Sequence, residues 1–303
     1  AMDPSQECRQ YAKNNNIPFI TSSYKDLISM GDFSAILICS PTNTHADYVE
    51  MGALAGKDVF CEKPLDLSLE RVLEVLKVVH ESGVQLMLGF NRRFDKEFKK
   101  VHELVKEGAV GDPHLVKITS RDPGAPPVSY IKQSGGLFLD MTIHDFDMAR
   151  FILSEEITEV SAQASCLVDP EIGKAGDIDS AMITLKTANG KLAQIVNSRR
   201  ASYGYDQRIE IHGSKGMLEA RNINESTVTS HTDAGINGPK PLHFFLERYE
   251  AAYRAELDTF IRSLNDETVS YPSMQDGLQA LLIAEAAMLS YQQGRSAKVS
   301  EIG

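Results

Sequence analysis

Short apolar runs alternate with amphipathic stretches over the first third of the chain. Runs of this kind, bounded by helical patterns, are typical of strands buried in a parallel sheet that is covered on both faces. Between two of the runs, apolar residues recur near 3.6-residue spacing after Ser68, which predicts a helix capped by that serine. The predicted strands are residues 35–39, 59–61 and 84–88, and further helices are expected at 5–14 and from about 43.

From about residue 113 the pattern changes to longer strands. Two of them are joined by Ala188-Asn189-Gly190, and Asn-Gly between two strand patterns is a strong hairpin signal. The sequence therefore predicts an α/β fold, in which a Rossmann-type parallel sheet domain (1–112) precedes an α+β domain with an open, mainly antiparallel sheet (113–303). The longer strands are predicted at residues 115–120, 157–167, 179–186, 191–198 and 207–212, and helices at 246–264 and 274–292.

The length, charge and composition of the chain exclude some classes of function. A chain of 303 residues suits two domains. Its net charge of −11, with scattered Lys and Arg, argues against a nucleic-acid partner. We find no apolar run near the roughly 20 residues that span a bilayer, and no CxxC pair among the four cysteines. We expect a cytoplasmic protein with reduced thiols, no membrane contact and a small-molecule ligand.

Polar residues follow the first two predicted strands. Doubly wound domains bind ligands at the carboxyl ends of their strands, so these positions are candidates for a binding site. A helix that starts after the first strand would point its amide groups at a phosphate or a nicotinamide amide. As alternatives, the residues after the first strand are helix caps, and Lys63 is a solvated lysine at a strand end. The candidates are Ser40, Pro41, Thr42 and His45 after the first strand, and Glu62 and Lys63 after the second.

Several motifs together resemble the glucose-fructose oxidoreductase and inositol dehydrogenase (Gfo/Idh/MocA) family. Their order and spacing cover nearly the whole chain. The resemblance implies a nicotinamide-binding Rossmann domain followed by an open-sheet domain that presents the substrate and often mediates contacts between copies in a dimer or tetramer. The matching stretches are Asp3 as a strand-end acid, Ser40-Pro41-Thr42 to His45, Cys61-Glu62-Lys63-Pro64, Gly89-Phe90-Asn91-Arg92-Arg93-Phe94, and Gly135-Gly136 through Asp140 to His144-Asp145.

The same resemblance implies roles at the strand ends. Lys63 is expected to contact both substrate and nicotinamide, and the peptide bond before Pro64 is expected to be cis. An acid at the end of the second strand accepts hydrogen bonds from ribose hydroxyls and repels a 2′-phosphate, so Asp3 favours NAD over NADP. The expected cofactor-binding set is Asp3, Ser40, Pro41, Thr42, His45, Glu62 and Lys63.

An acid and a histidine lie four residues apart in an apolar stretch. In a helix, Asp140 and His144 would share one face. Histidine can accept the hydroxyl proton when an alcohol is oxidised. By the resemblance, His144 is the proton acceptor, Asp140 its partner, and Lys63 holds and polarises the hydroxyl. A metal site built from Asp140, His144, Asp145 and Asp147 is the alternative, but no second His or Cys cluster has metal spacing, so no metal is expected.

Substrate contacts are predicted from two further segments. Tyr203 and Tyr205 resemble tyrosines that inositol dehydrogenases offer to the polyol ring; alternatively they cover a half-buried sheet face. Arg93 is assigned to the substrate, although one arginine of Arg92-Arg93 is expected to form an ion pair instead. We leave Asp145 and Asp147 out of the catalytic set, as capping or salt-bridging residues.

The glycine-rich turn of a Rossmann domain does not occur in this sequence. The roughly 30 residues of strand, turn and helix that would precede Asp3 are not there. Gly213-Ser214-Lys215-Gly216 is predicted to be a strand-joining turn instead. We expect the sequence to be a fragment of a complete enzyme; the alternative is a protein without a pyrophosphate cradle.

These features together predict oxidation of an inositol ring hydroxyl to a ketone with NAD, by a homo-oligomer. Two rival hypotheses remain open. One is another sugar or deoxysugar dehydrogenase of the same family. The other is a catalytically silent scaffold that keeps the open-sheet domain for self-association.

Overall fold

The computed structural model describes residues 1–265 and 267–303. The chain divides into two compact units, Ala1–Met87 and Leu88–Gly303. The helix at residues 96–106 packs on elements of the second unit, so this division falls earlier along the chain than the change of sequence pattern near residue 113.

The first unit centres on a small sheet with the strand order β1–β2–β3. The strands are β1 (Ala35–Ile38), β2 (Asp58–Glu62) and β3 (Leu86–Gly89), with β1 and β2 parallel as predicted. A separate parallel bridge joins Met2 to Thr21. The helices of this part are α1 (Gln6–Asn14), α2 (Tyr24–Ser29), α3 (His45–Leu54) and α4 (Leu69–Ser82).

Serine side chains cap three of these helices, at Ser5, Ser23 and Ser68, and the Ser68 cap was predicted. Ser5 Oγ accepts the amide of Cys8, and Ser68 Oγ accepts the amide of Arg71. Each bond satisfies an N–H group that the first turn of a helix leaves without a partner inside the helix. Along α4 one stripe of residues at helical spacing is buried, whereas Leu73 of the apolar pattern is 48% exposed. The buried residues of α4 are Val72, Val75 and Val79.

A seven-stranded sheet forms the second unit, in the order β12-β5-β6-β7-β4-β8-β9. β4 and β7 pair in parallel, and the other neighbours pair antiparallel. The mainly antiparallel sheet that the sequence predicts is therefore confirmed. The strands are β4 (Pro113–Arg121), β5 (Ile157–Ser165), β6 (Ser180–Thr187), β7 (Leu192–Ser198), β8 (Asp206–Gly213), β9 (Gly216–Ala220) and β12 (Ala297–Lys298), with a separate hairpin of β10 (Ser230–Thr232) and β11 (Gly235–Asn237).

Helices cover one face of this sheet. Burial alternates along β6, so one face packs in the core and the other faces outward. α10 packs on β5 and on α7, which places the main core between the sheet and these helices. The helices are α5 (Lys96–Lys106), α6 (Val128–Ser134), α7 (Ile143–Leu153), α8 (Pro170–Lys174), α9 (Phe245–Leu264) and α10 (Met274–Gln293).

The two predicted turns are confirmed. β6 and β7 form a hairpin through Asn189 and Gly190, and Gly190 has a φ of +86°, which glycine adopts without strain. Gly213 pairs with Gly216 where β8 turns into β9. In the part of the chain that the structure describes, no helix is both long enough and apolar enough to cross a membrane.

Candidate active site

Asp3 lies at the end of the short segment that pairs with Thr21. Its backbone N–H donates to the Thr21 carbonyl at 3.1 Å. Its Oδ1 accepts the amide of Ser5 at 2.7 Å, directly before α1 begins. Asp3 therefore lies between the segment that pairs with Thr21 and the start of α1.

The loop after β1 is braced by its own side chains. Ser40 Oγ and Thr44 Oγ1 are 2.6 Å apart, and Thr44 Oγ1 donates to the Pro41 carbonyl at 2.7 Å. Thr42–Thr44 forms one turn of 3-10 helix, and α3 follows directly. The hydroxyls hold the loop in a fixed shape at the carboxyl end of β1.

The contacts of His45 argue against the cofactor-binding role predicted for it. The ring is 2% exposed. Nδ1 lies 2.7 Å from the Pro64 carbonyl, and Nε2 lies 2.7 Å from the Ser40 carbonyl. Because both nitrogens bond to backbone inside the unit, His45 links the loops after β1 and β2 and has no ring edge to offer a ligand.

Lys63 follows β2, as predicted, and the Lys63–Pro64 peptide bond is cis. The expectation of a cis bond is confirmed. Burial raises the pKa of the neighbouring Glu62, against the lowering effect of the Lys63 charge and amide. Cys61 is fully buried in β2, as expected of a thiol that behaves as a small hydrophobe.

Two glycines open the stretch that carries the predicted acid and histidine. Gly135 and Gly136 have φ values of +83° and +81°. A Cβ atom on Gly136 would lie 2.6 Å from Asp177 Oδ1, which also accepts the Leu137 amide. The lack of a side chain at Gly136 therefore makes room for the Asp177 carboxylate.

A π-helical turn, Phe138–Thr142, leads into α7. The helix predicted here is present, but its first turn is π rather than α, a feature often found at functional sites. Asp140 and His144 are half-buried on this continuous helical segment. Apolar residues of the same segment are buried: Phe138, Met141 and Phe146.

Both carboxylate oxygens of Asp140 accept hydrogen bonds. Tyr130 Oη donates to Oδ1 at 2.8 Å, and Arg199 Nη2 donates to Oδ2 at 3.2 Å. The Asp140 side chain is 14% exposed and the Arg199 side chain 2% exposed. A charged donor and a neutral donor together fix the orientation of this carboxylate.

A second set of polar contacts lies one turn further along the helix. Asp145 is fully buried and forms an ion pair with Arg92. It also accepts hydrogen bonds from Ser120 Oγ at 2.6 Å and Asn197 Nδ2 at 2.8 Å. Ser120 and Asn197 belong to the parallel pair β4 and β7, so Asp145 ties α7 to the ends of these strands. Its assignment to a salt bridge rather than to catalysis agrees with these contacts.

Arg93 is held in a buried ion-pair network, which argues against the substrate role predicted for it. Its guanidinium donates to both oxygens of Asp147, at 2.8 and 2.5 Å, and to Asp276 at 2.8 Å. Arg150 also contacts Asp276, at 3.1 Å. Since the Arg93 side chain is 11% exposed and directed at two carboxylates, its position fits the ion-pair alternative.

The two predicted tyrosines lie in different environments. Tyr205 is 6% exposed, and its ring packs edge-on against Phe244 and Tyr249. A ring in the core has little surface for a polyol, which argues against the substrate role predicted for Tyr205. Tyr203 is 42% exposed, and its hydroxyl donates to Asp206 at 2.6 Å and accepts from Arg121 at 2.9 Å.

Three residues around Asp140 were not predicted from the sequence: Tyr130, Arg199 and Asp122. Asp122 directly follows β4, and Arg199 directly follows β7. β4 and β7 are far apart along the chain, so their side-by-side pairing cannot be seen from either segment alone. The feature of the sequence that could have pointed to Asp122 and Arg199 is a polar residue directly after each strand.

Two family models match the chain. Residues 1–90 match the NAD-binding Rossmann fold of an oxidoreductase family, and residues 98–219 match the GFO/IDH/MocA C-terminal domain. This chain belongs to the Gfo/Idh/MocA oxidoreductase family. The family resemblance and the fold class inferred from the sequence are thus confirmed.

Members of the family that are similar to this chain include inositol dehydrogenases. A myo-inositol 2-dehydrogenase of Thermotoga maritima is 50% identical over 286 residues, covering 93% of this chain and 86% of that protein. An inositol 2-dehydrogenase of Rhizobium meliloti is 52% identical over 270 residues, covering 89% and 82%. The crystal structure of a scyllo-inositol dehydrogenase of Lactobacillus casei with bound NAD(H) and scyllo-inositol superposes with a TM-score of 0.91 at 31% identity, covering 99% and 90%.

Proposed function

We propose that this protein is an NAD-dependent dehydrogenase that oxidises one ring hydroxyl of an inositol to a ketone, in the manner of an inositol 2-dehydrogenase. The observation that carries the proposal is the 50% identity, over 93% of the chain, with a myo-inositol 2-dehydrogenase. Identity at this level, over a length that includes both units, supports a common fold and a related activity.

A nicotinamide cofactor fits the first unit. Asp3 stands where a ribose acid is needed, and the braced loop from Ser40 to Thr42 stands at the carboxyl end of a parallel strand. Glu62 and Lys63 follow the next strand. We assign these residues to cofactor binding, with NAD favoured over NADP by the charge of Asp3. When bound, the nicotinamide accepts a hydride from the alcohol carbon.

Three side chains handle the proton of the reacting hydroxyl. His144 accepts it, because an imidazole is the side chain best matched to proton transfer near neutral pH. Asp140 stabilises the imidazolium that forms, and its own orientation is fixed by Tyr130 and Arg199. Lys63 holds and polarises the hydroxyl oxygen. Tyr203, with an exposed ring, stays as a candidate for contact with the polyol.

The remaining assignments follow from the family. We assign residues 1–112 to cofactor binding and residues 113–303 to substrate binding and self-association, in a cytoplasmic homo-oligomer, a dimer or tetramer, that serves inositol catabolism. The outer face of the seven-stranded sheet supports self-association, because exposed apolar side chains lie on it. They are Leu115, Met182 and Met217.

The substrate assignment is tested by initial rates of NADH or NADPH formation with the protein as its gene encodes it. Matched reactions contain myo-inositol, scyllo-inositol, glucose or galactose. We expect the highest kcat/KM with an inositol isomer and NAD. A preference for glucose or galactose would identify a sugar dehydrogenase instead. No turnover, together with no NAD binding by calorimetry, would favour the silent scaffold.

A further inference from the structure

Arg199 is a buried cation at the end of β7. Its backbone N–H donates to the Asp179 carbonyl at 2.8 Å, which fixes the residue directly after the strand. Its side chain is 2% exposed, so its permanent positive charge is removed from water and has to be compensated by carboxylates. Removing a guanidinium from water costs free energy unless its charge is compensated. The partners of Arg199 therefore indicate what its charge does in the site.

Arg199 is shared by two carboxylates. Its Nη2 contacts Asp140 Oδ2 at 3.2 Å, and its Nη1 lies 3.8 Å from Asp122 Oδ2. The Asp122 amide donates to the Ser198 carbonyl at 2.9 Å, so the two strand ends that carry Asp122 and Arg199 are joined by backbone. Because β4 and β7 pair in parallel, Asp122 and Arg199 lie next to each other at the strand ends. The Arg199 guanidinium therefore lies between Asp122 and the candidate catalytic acid Asp140.

This cluster carries one net negative charge at neutral pH. It holds the carboxylates of Asp122 and Asp140 and the guanidinium of Arg199. Burial raises the pKa of Asp122 to about 6, with Arg199 and Arg92 opposing the shift, so this acid is still ionised near pH 7. His144 lies four residues after Asp140 on the same helical segment, so a proton on His144 would be attracted by the negative charge of the cluster. Without Arg199 the cluster would hold two negative charges and would bind that proton more tightly.

We propose that Arg199 is a positioning residue that orients the Asp140 carboxylate and, together with Asp122, sets how strongly His144 holds its proton. The proposal rests on the proposed function, since it assigns Arg199 to the proton transfer of that reaction. Arg199 itself touches Asp140 and Asp122. The other charged or titratable groups around the cluster are Tyr130, Asp177, Arg92 and Asp145.

The direct test is the titration of the His144 ring, followed by NMR in histidine-labelled protein without substrate. The His144 signal is identified by its loss in His144→Asn. In Arg199→Gln we expect the titration midpoint to rise by about one pH unit, because a neighbouring positive charge is gone. In Arg199→Lys the charge remains, so the midpoint stays close to that of the wild type.

Two further variants separate charge from folding. In Arg199→Gln/Asp122→Asn one positive and one negative charge are removed together, so the midpoint should return towards the wild-type value. In Asp122→Asn alone it should fall. Arg200→Gln is the matched control, since Arg200 is exposed on the neighbouring position, and it should leave the midpoint unchanged. Circular dichroism verifies folding; if Arg199→Gln does not fold, Asp122→Asn and the double variant carry the test.

The proposal is overturned if Arg199→Gln leaves the His144 midpoint in place, or if Arg199→Gln and Arg199→Lys shift it equally. It is also overturned if the double variant does not restore it. The acidic limb of the pH profile of kcat/KM for the oxidation should move in the same direction as the midpoint. The titration needs no substrate, so an absence of inositol turnover would refute the proposed function and leave this test standing.

Discussion

His144 is the residue on which the proposed proton transfer depends. A positioned general base contributes about 10²–10⁴-fold to the rate. We therefore expect His144→Ala to lower kcat for inositol oxidation by a factor in that range, while NAD affinity measured by calorimetry changes little. His231→Ala is the matched control, because His231 is exposed on β10, and it should retain full activity. Equal rates for both variants would contradict the role of His144.

Motifs in the sequence made Lys63, Asp140 and His144 candidates for the site, because their residue types and spacing carry the resemblance. Contacts made at long range were not predictable. Arg93 binds Asp276, which is 183 positions away along the chain. Tyr205 is buried by rings of a later segment. A side chain's partner depends on tertiary packing, so a sequence pattern can place it near a strand end without showing what it touches.

At the scale of elements, an ion-pair network ties α7 to α10. Asp276 begins α10 as part of its capping box, and it binds Arg93 and Arg150. Burial opposes ionisation of Asp276, but the charge and hydrogen bonds of Arg93, with those of Ser273, outweigh it and lower its pKa from 3.8 to about 2. The carboxylate is therefore stabilised in the folded state at neutral pH.

Replacing this acid should destabilise the fold in a pH-dependent way. Because the pKa of Asp276 is lower in the folded chain than in the unfolded chain, its stabilisation is present above about pH 4 and is lost as pH falls towards 2. We expect Asp276→Asn to lower the free energy of unfolding at pH 7 by on the order of 2 kcal/mol, and the two proteins to converge near pH 2. Urea denaturation at several pH values measures this.

An exposed ion pair on α9 provides the control for the Asp276→Asn prediction. Asp258 lies on α9 with a 68% exposed side chain, 4.0 Å from Arg262. Asp258→Asn should change the free energy of unfolding by less than about 0.5 kcal/mol at any pH. If Asp276→Asn behaves like Asp258→Asn, the network does not contribute to stability as described.

Most helices and strands followed from periodicity, because caps such as Ser68 and turns such as Asn189-Gly190 act locally. The π-helical turn Phe138–Thr142 did not, since an extra residue in one helical turn leaves no mark on an apolar pattern. The parallel pairing of β4 with β7 inside an antiparallel sheet was also hidden, because it joins segments that are distant along the chain.

At the scale of the whole molecule, the proposed self-association depends on the outer face of the seven-stranded sheet. Met182 stands on that face with a 57% exposed side chain. Met182→Arg would place a charge in a face that meets its own copy, so we expect a smaller assembly by light scattering. Tyr11→Arg, at a 70% exposed position on α1, is the control. An unchanged mass for Met182→Arg would remove this face from the interface.

The reaction itself is tested most directly by isotope transfer from myo-inositol that carries deuterium on the reacting carbon. Incubation with NAD and the protein as its gene encodes it should give NADH that contains the deuterium, more slowly than with unlabelled substrate, because the bond to that hydrogen breaks as the ketone forms. NADH without deuterium, or no NADH with any inositol isomer, would contradict the account.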